Sequence, residues 1–329
     1  SSQSVPELLW GASTLAQLHA ELSRGLLGLR PDAALGCSTG ESDALFALGA
    51  WRDLDAMFDA AERGGLYTRE LAGELAAVRR AWGVSQVDWQ VWVLRAPVSA
   101  IELAVAEEPC AHLTLIHTDD EATIAGDASA CQRVIARLGV SRARPLPFPL
   151  AVHVPELTEV EAAWRALHRR EVHPVAGVRF YGHATGSSYA LGEEACADAI
   201  TRQAMGTVDL RATVEQAWSD GVRVFLEHGP RGATTRWISE ILGERPHLAV
   251  ALDRREDPLG GLWSTLCQLT AAGVRLDPSA VERADRPWPI ARPRPTLVHP
   301  AHPTPVATAR APRVAPRDRP EAPRPDTGS

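Results

Sequence analysis

Residues Gly36-Cys37-Ser38-Thr39-Gly40 constrain this chain more than any other stretch. The apolar run Ala33-Ala34-Leu35 before them reads as the end of a buried strand. The run from Glu41 to Gly49 after them reads as a helix. Gly-x-Ser-x-Gly between a strand and a helix is the context of a nucleophile elbow. The turn is tight, so small residues flank the serine. Its hydroxyl stands above the sheet end, where the new helix aims its free N–H groups and positive dipole end. That suits a reaction passing through an oxyanion. Glycine and serine are also ordinary turn residues, so the pentapeptide alone does not establish chemistry.

Leu15, Leu18, Leu22 and Leu26 recur at helical spacing over 12–27, with Ser13 or Thr14 as the expected N-cap. Asp53 to Arg63 and Thr68 to Trp82 read as two further helices, separated by Gly64-Gly65. The pattern then changes to strand 88–95, helix 97–107, strand 111–117, strand 121–125, helix 128–138 and strand 143–149. This βαββαβ order is a ferredoxin-like unit. Beyond it, helices are expected at 160–170, 193–205, 209–219, 234–242 and 259–272, with strands at 178–181, 222–226 and 247–251. Alternating strands and helices imply an α/β layer with a mainly parallel sheet. The expected organisation is a large subdomain over 1–86 and 151–285, interrupted by a small ferredoxin-like subdomain over 87–150. Residues 286–329 hold 12 of the 25 prolines and read as a Pro-rich, extended linker.

Composition narrows the function classes. The 34 basic residues are all arginine, and against 41 acidic residues they leave a formal charge of −7 without a basic cluster outside the tail. That disfavours a nucleic-acid groove. No stretch approaches a membrane span, and the start carries no basic-and-apolar signal segment. The five cysteines have no paired spacing, which points to reduced thiols, a cytoplasmic setting and no metal site. Helix signals begin by residue 12, as in a piece excised from a longer polypeptide.

Acyl transfer or hydrolysis at Ser38 needs a base and an oxyanion hole. Cys37 is the rival nucleophile, but at an elbow the preceding side chain points away from the mouth. His153, His183 and His228 are the candidate bases, the last two following expected strands where ligands gather in open α/β sheets. Residue chemistry alone does not rank the three. Ser219-Asp220-Gly221 resembles the Asp-Gly of patatin-like lipases, which pair it with a Gly-x-Ser-x-Gly serine; its plain role is to end a helix before a strand.

Several stretches together resemble the acyltransferase domains of fatty-acid and polyketide synthases, and most nearly the polyunsaturated-fatty-acid type. They are Pro31 to Glu41, Gly49-Ala50-Trp51 through Leu66 to Gly73, Ile124 to Asp127, Val178 to Tyr181 and Phe225 to Pro230. The likeness covers about residues 10–285. It implies an α/β-hydrolase-like large subdomain carrying the ferredoxin-like small one. It implies Ser38 as nucleophile, His153 as base and the backbone carbonyl of Gln203 as orienter of that base. It implies the Thr39 backbone N–H as one oxyanion donor; the family's second donor comes from a Gly-Gln-rich loop that this sequence does not contain. Arg63, 25 residues beyond Ser38, stands where malonyl-type members hold the extender's carboxylate. The family usually has His where this chain has Cys37. The implied reaction moves an acyl group, malonyl by expectation, from CoA to the phosphopantetheine of an acyl carrier protein, with no bound cofactor. The expected partners are that carrier and other synthase domains, partly in the same polypeptide. A serine hydrolase and a non-catalytic docking domain are the alternatives.

Overall fold

The structure, a computed structural model, describes residues 4–139, 142–253 and 258–277. The first helix, α1 (Val5–Ala20), starts earlier than the leucine spacing suggests. Ser4 and Glu7 form a reciprocal capping box, in which Glu7 Oε2 accepts the Ser4 N–H at 2.7 Å. Ser13, expected as the cap, is buried inside the helix instead. A π-helical turn (Glu21–Leu26) continues α1 and leads to β1 (Ala33–Ala34) and α2 (Thr39–Ala47). Next comes α3 (Leu54–Gly64), capped by Asp53, which accepts the Ala56 N–H at 3.0 Å. The expected helix over 68–82 is broken. A π-helical turn covers Leu66–Glu70, Gly73 and Leu75 both have positive φ, and only α4 (Ala76–Trp82) is regular.

The small subdomain follows the expected order: β2 (Trp89–Arg95), α5 (Val98–Ala106), β3 (Ala111–Thr118), β4 (Glu121–Asp127), α6 (Ala128–Leu138) and β5 (Ala143–Pro145). These strands pair antiparallel in the order β5-β2-β4-β3, the ferredoxin-like arrangement. Leu94, Ile101, Ile124 and Val134 fill the space between sheet and helices. The last strand is shorter than expected because Pro145, Pro147 and Pro149 supply no ladder donors.

The chain then re-enters the large subdomain. A 3-10 turn (Pro155–Val160) leads into α7 (Glu161–His168), β6 (Arg179–Gly182) and β7 (Ser187–Tyr189). After them come α8 (Glu193–Ala204), β8 (Val208–Asp209), α9 (Leu210–Ser219), β9 (Val224–Glu227), α10 (Ala233–Leu242), β10 (Leu248–Ala251) and α11 (Pro258–Ala271). Within the large subdomain β1 pairs parallel with β6 and β9 with β10, while β7 turns back on β6 as a hairpin. The architecture is α/β-hydrolase-like with a small inserted subdomain. One core surrounds Leu45, Trp51, Leu71, Leu157 and Ile200, and another gathers Tyr181, Leu210, Val214 and Leu242. The short β8 leaves the large subdomain and adds to the small one's sheet, parallel to β3. Residues 1–285 form one unit and 286–329 another; the expected Pro-rich linker lies outside the described residues. Among the described residues no helix is long and apolar enough to cross a membrane.

Gly126 joins β4 to the start of β3 at close range: a Cβ there would lie 2.1 Å from the Cys110 carbonyl oxygen. Gly126→Ala is therefore expected to destabilise the fold by about 2 kcal/mol or more, the order of an overpacked core. Denaturant titration of the variant beside the parent measures it.

Candidate active site

The turn between β1 and α2 holds Ser38 at φ 58° and ψ −119°, a conformation that costs a non-glycine residue about 1–3 kcal/mol. Neighbouring bonds hold it there. Gly40 N–H donates to Cys37 O at 3.0 Å and Glu41 N–H to Ser38 O at 3.1 Å. Gly36 has a specific reason to be glycine: a Cβ would lie 2.0 Å from the backbone of Gly40. Gly40 has no such reason, since a Cβ there would meet nothing within 4 Å. The imidazole of His183 braces the turn from below. Its Nε2–H donates to Gly36 O at 2.6 Å, and its Nδ1 lies 2.9 Å from Thr213 Oγ1. The backbone N–H of His183 donates to Glu41 Oε2 at 3.3 Å. Glu41 is buried, and desolvation pushes its carboxyl pKa up to about 7.

His153 reaches Ser38 from the chain entering the large subdomain. Its Nε2 lies 2.7 Å from Ser38 Oγ, and its Nδ1 lies 2.7 Å from the backbone carbonyl of Gln203. A carbonyl only accepts, so Nδ1 carries the proton and Nε2 is left bare to take one from the hydroxyl. The backbone is tied to the same place. His153 adopts φ 62°, and its N–H donates to Ala204 O at 2.7 Å. Both carbonyls belong to the last turn of α8, where helix geometry leaves them without intrahelical donors. Gln203 makes a second link through its side chain, donating from Nε2 to Ser38 O at 3.2 Å. Burial pushes the His153 pKa down to about 4, so the ring rests neutral. Thr39 opens α2, and its N–H is among those that point out of the helix start beside Ser38.

Ser38, Thr39, His153 and Gln203 thus share one place, on the wall of a cavity of about 260 Å³. Its far wall comes from the small subdomain, through Val91, Thr114, Leu115, Thr123 and Ala125. Arg63 does not join them. It is exposed at the C-terminal end of α3 and does not line the cavity, although Leu54, Met57 and Phe58 of the same helix do. Arg63 is nine residues beyond Leu54, about 180° round a helix with 100° per residue, so it faces away. Sequence spacing from Ser38 carries no information on that phase.

The other candidates are occupied elsewhere. Cys37 is partly buried against the cluster around Tyr181, and desolvation raises its thiol pKa to about 12. His183 spends its ring nitrogens on Gly36 O of the elbow and on Thr213 Oγ1 of α9. His228 packs edge-on against His19, with 6.4 Å between ring centroids. Asp220 accepts from Tyr181 Oη at 2.8 Å and from Gln216 Nε2 at 2.9 Å, at the end of α9. Among the described residues, no three His, Cys, Asp or Glu side chains are placed to hold a metal ion.

No family model matches the chain. Among curated proteins it is similar to a polyunsaturated fatty acid synthase component of Thraustochytrium sp., 26% identical over 269 residues, covering 76% of this chain and 13% of that protein. It is also similar to the spectinabilin polyketide synthase system protein NorA' of Streptomyces orinoci, 30% identical over 250 residues, covering 74% of this chain and 6% of that protein. The chain therefore spans only a small part of the length of these curated relatives. Among solved structures it resembles the acyltransferase domain from module 8 of the salinomycin polyketide synthase. The TM-score is 0.68 at 22% identity, covering 84% of this chain and 63% of that one. It also resembles the malonyl-CoA:acyl carrier protein transacylase of Xanthomonas oryzae, with a TM-score of 0.61 at 20% identity, covering 79% and 78%. The chain is thus similar in sequence to polyketide and polyunsaturated-fatty-acid synthase proteins, and in fold to acyltransferase domains and malonyl transacylases.

Two measurements check the electrostatics of the site. A neutral imidazole is needed to accept the serine proton, and burial lowers the His153 pKa to about 4. Acylation of Ser38 should therefore stay level as pH falls from about 8 to about 5 and decline only towards about 4. A limb near about 6.5 would indicate a solvated ring. Iodoacetamide at about pH 8 should modify exposed Cys267 and spare Cys37, as peptide mapping by mass would record.

Proposed function

We propose that this chain is a serine acyltransferase that moves an acyl group from CoA to the phosphopantetheine thiol of an acyl carrier protein. The observation that carries the reading is the unbroken line from Ser38 Oγ through the His153 ring to Gln203 O, with 2.7 Å at each step, on a cavity wall. In the first half-reaction His153 Nε2 takes the hydroxyl proton while Ser38 Oγ attacks the thioester carbonyl. The oxyanion forms against the Thr39 N–H at the positive end of α2. The imidazolium forms against the carbonyls ending α8, whose partial negative charge favours it. Collapse breaks the C–S bond, CoA leaves as the thiol with the proton from His153, and an acyl-serine remains. The carrier's thiol then repeats the steps in reverse, giving up its proton to His153 and taking the acyl group.

In this reading Gln203 is a positioning residue. Its carbonyl fixes the imidazole tautomer, and its side chain fixes the elbow carbonyl. Residues 87–150 form the small subdomain, with residues 1–86 and 151–285 around it. The carrier protein and other synthase domains are the partners, partly in the same polypeptide. The names of the Thraustochytrium and Streptomyces orinoci relatives support that setting.

Ser38→Ala should abolish the acyl adduct detected by intact mass after exposure to acyl-CoA donors. His153→Ala should slow its formation by about 10²–10⁴-fold, the usual loss of a general base. An adduct that persists on Ser38→Ala overturns the assignment. Release of free acid at the same rate with and without carrier protein would identify a hydrolase instead.

A further inference from the structure

Among the described residues, the cavity beside Ser38 has no positive charge in its wall. The chain contains no lysine, and no arginine among the described residues lines the cavity. Its two imidazoles, His153 and His168, are both held neutral, burial pushing each pKa down to about 4. Arg63 faces away from it, as α3 runs. Arg170 approaches from behind Phe46, its guanidinium 5.7 Å from that ring's centroid, but it donates to the carbonyls of Arg52 and Asp53 and stays outside the wall. The charged group the wall does hold is an acid. Asp43 lines the cavity, and burial pushes its pKa up to about 6, which leaves it mostly ionised at about pH 7.5 and above.

Most of the remaining wall is hydrocarbon. Trp10 stacks on Phe58 with 4.1 Å between centroids and meets Tyr67 edge-on at 5.6 Å. Phe46, Met57, Phe148 and Trp164 extend the same surface. Ser38 lines the same cavity, so an acyl group on its Oγ can reach this surface. A malonyl carboxylate would meet aromatic faces and the Asp43 carboxylate, with no guanidinium or ammonium to replace its lost water. Burying an unpaired charge is costly, and a second anion nearby adds to the cost. A hydrocarbon tail gains from the same wall by leaving water.

We propose that this site, given the acyltransferase reading above, takes an uncharged acyl group with a hydrocarbon tail and disfavours malonyl. The step is an ordinary acyl exchange. The Ser38 Oγ–C bond forms, the thioester C–S bond breaks, and the hydroxyl proton leaves on the CoA thiol through His153.

The test is the rate of adduct formation on the full chain, by intact mass, with malonyl-, acetyl-, hexanoyl- and octanoyl-CoA at equal concentration and about pH 7.5. Hexanoyl or octanoyl adducts are expected to form about tenfold faster than malonyl, or more. Arg63→Ala, a surface change, is expected to leave the octanoyl-to-malonyl ratio where it was. A malonyl adduct that forms as fast as octanoyl, or that vanishes with Arg63→Ala, overturns this selectivity and leaves the acyltransferase reading standing. No adduct from any donor overturns both.

Discussion

The backbone of Ser38 is held in a conformation that a serine would not choose, and the site depends on what keeps it there. Three separate elements contribute. Within the elbow, Glu41 N–H closes on Ser38 O. From the β6–β7 hairpin, His183 fastens Gly36 O. From α8, Gln203 Nε2 fastens Ser38 O. Each bond is modest, about 1 kcal/mol net. Together they are of the same size as the strain, which is why the hydroxyl can stand free of its own turn and face the imidazole.

Two helices meet at that hydroxyl with opposite ends. The start of α2 offers N–H groups where negative charge would develop, and the end of α8 offers carbonyls where the imidazole would become positive. The same tie sets the tautomer of His153, fixes its backbone and keeps its ring in a place dry enough to stay neutral. In the proposed reaction the opposing dipoles would act on the charge separation, while the resting state is left uncharged.

Much of this is legible in the sequence because it follows from local rules. The elbow announces itself by a strand, two glycines and a helix, and the βαββαβ order follows from alternating apolar periods. Other features have no local signal. Gln203 takes part through a main-chain carbonyl that any residue would offer, so side-chain chemistry gives no reason to choose it; only the family likeness points there. His153, His183 and His228 all follow apolar runs, and what separates them is which loop the chain brings to Ser38. The spacing of Arg63 is countable, but the helix phase that turns it to solvent is not visible in that count. The strands β7 and β8, three and two residues long, are too short to carry an alternation. Helix α1 begins well before its leucine stripe because its cap, Ser4 with Glu7, lies outside that stripe.

The strand β8 has a mechanical consequence. It starts only a few residues after Gln203 and hydrogen-bonds to β3 at Leu115 and Ile116, while Thr207 Oγ1 donates to Leu113 O at 2.7 Å. Thr114 and Leu115 of β3 form part of the far wall. One short run of chain, 203–209, therefore holds both the carbonyl that aims the imidazole and the edge of the opposite wall. A guest too wide for the gap cannot spread that wall without tugging on the imidazole's anchor. The width of the chamber and the orientation of the His153 ring are thus tied to the same strut.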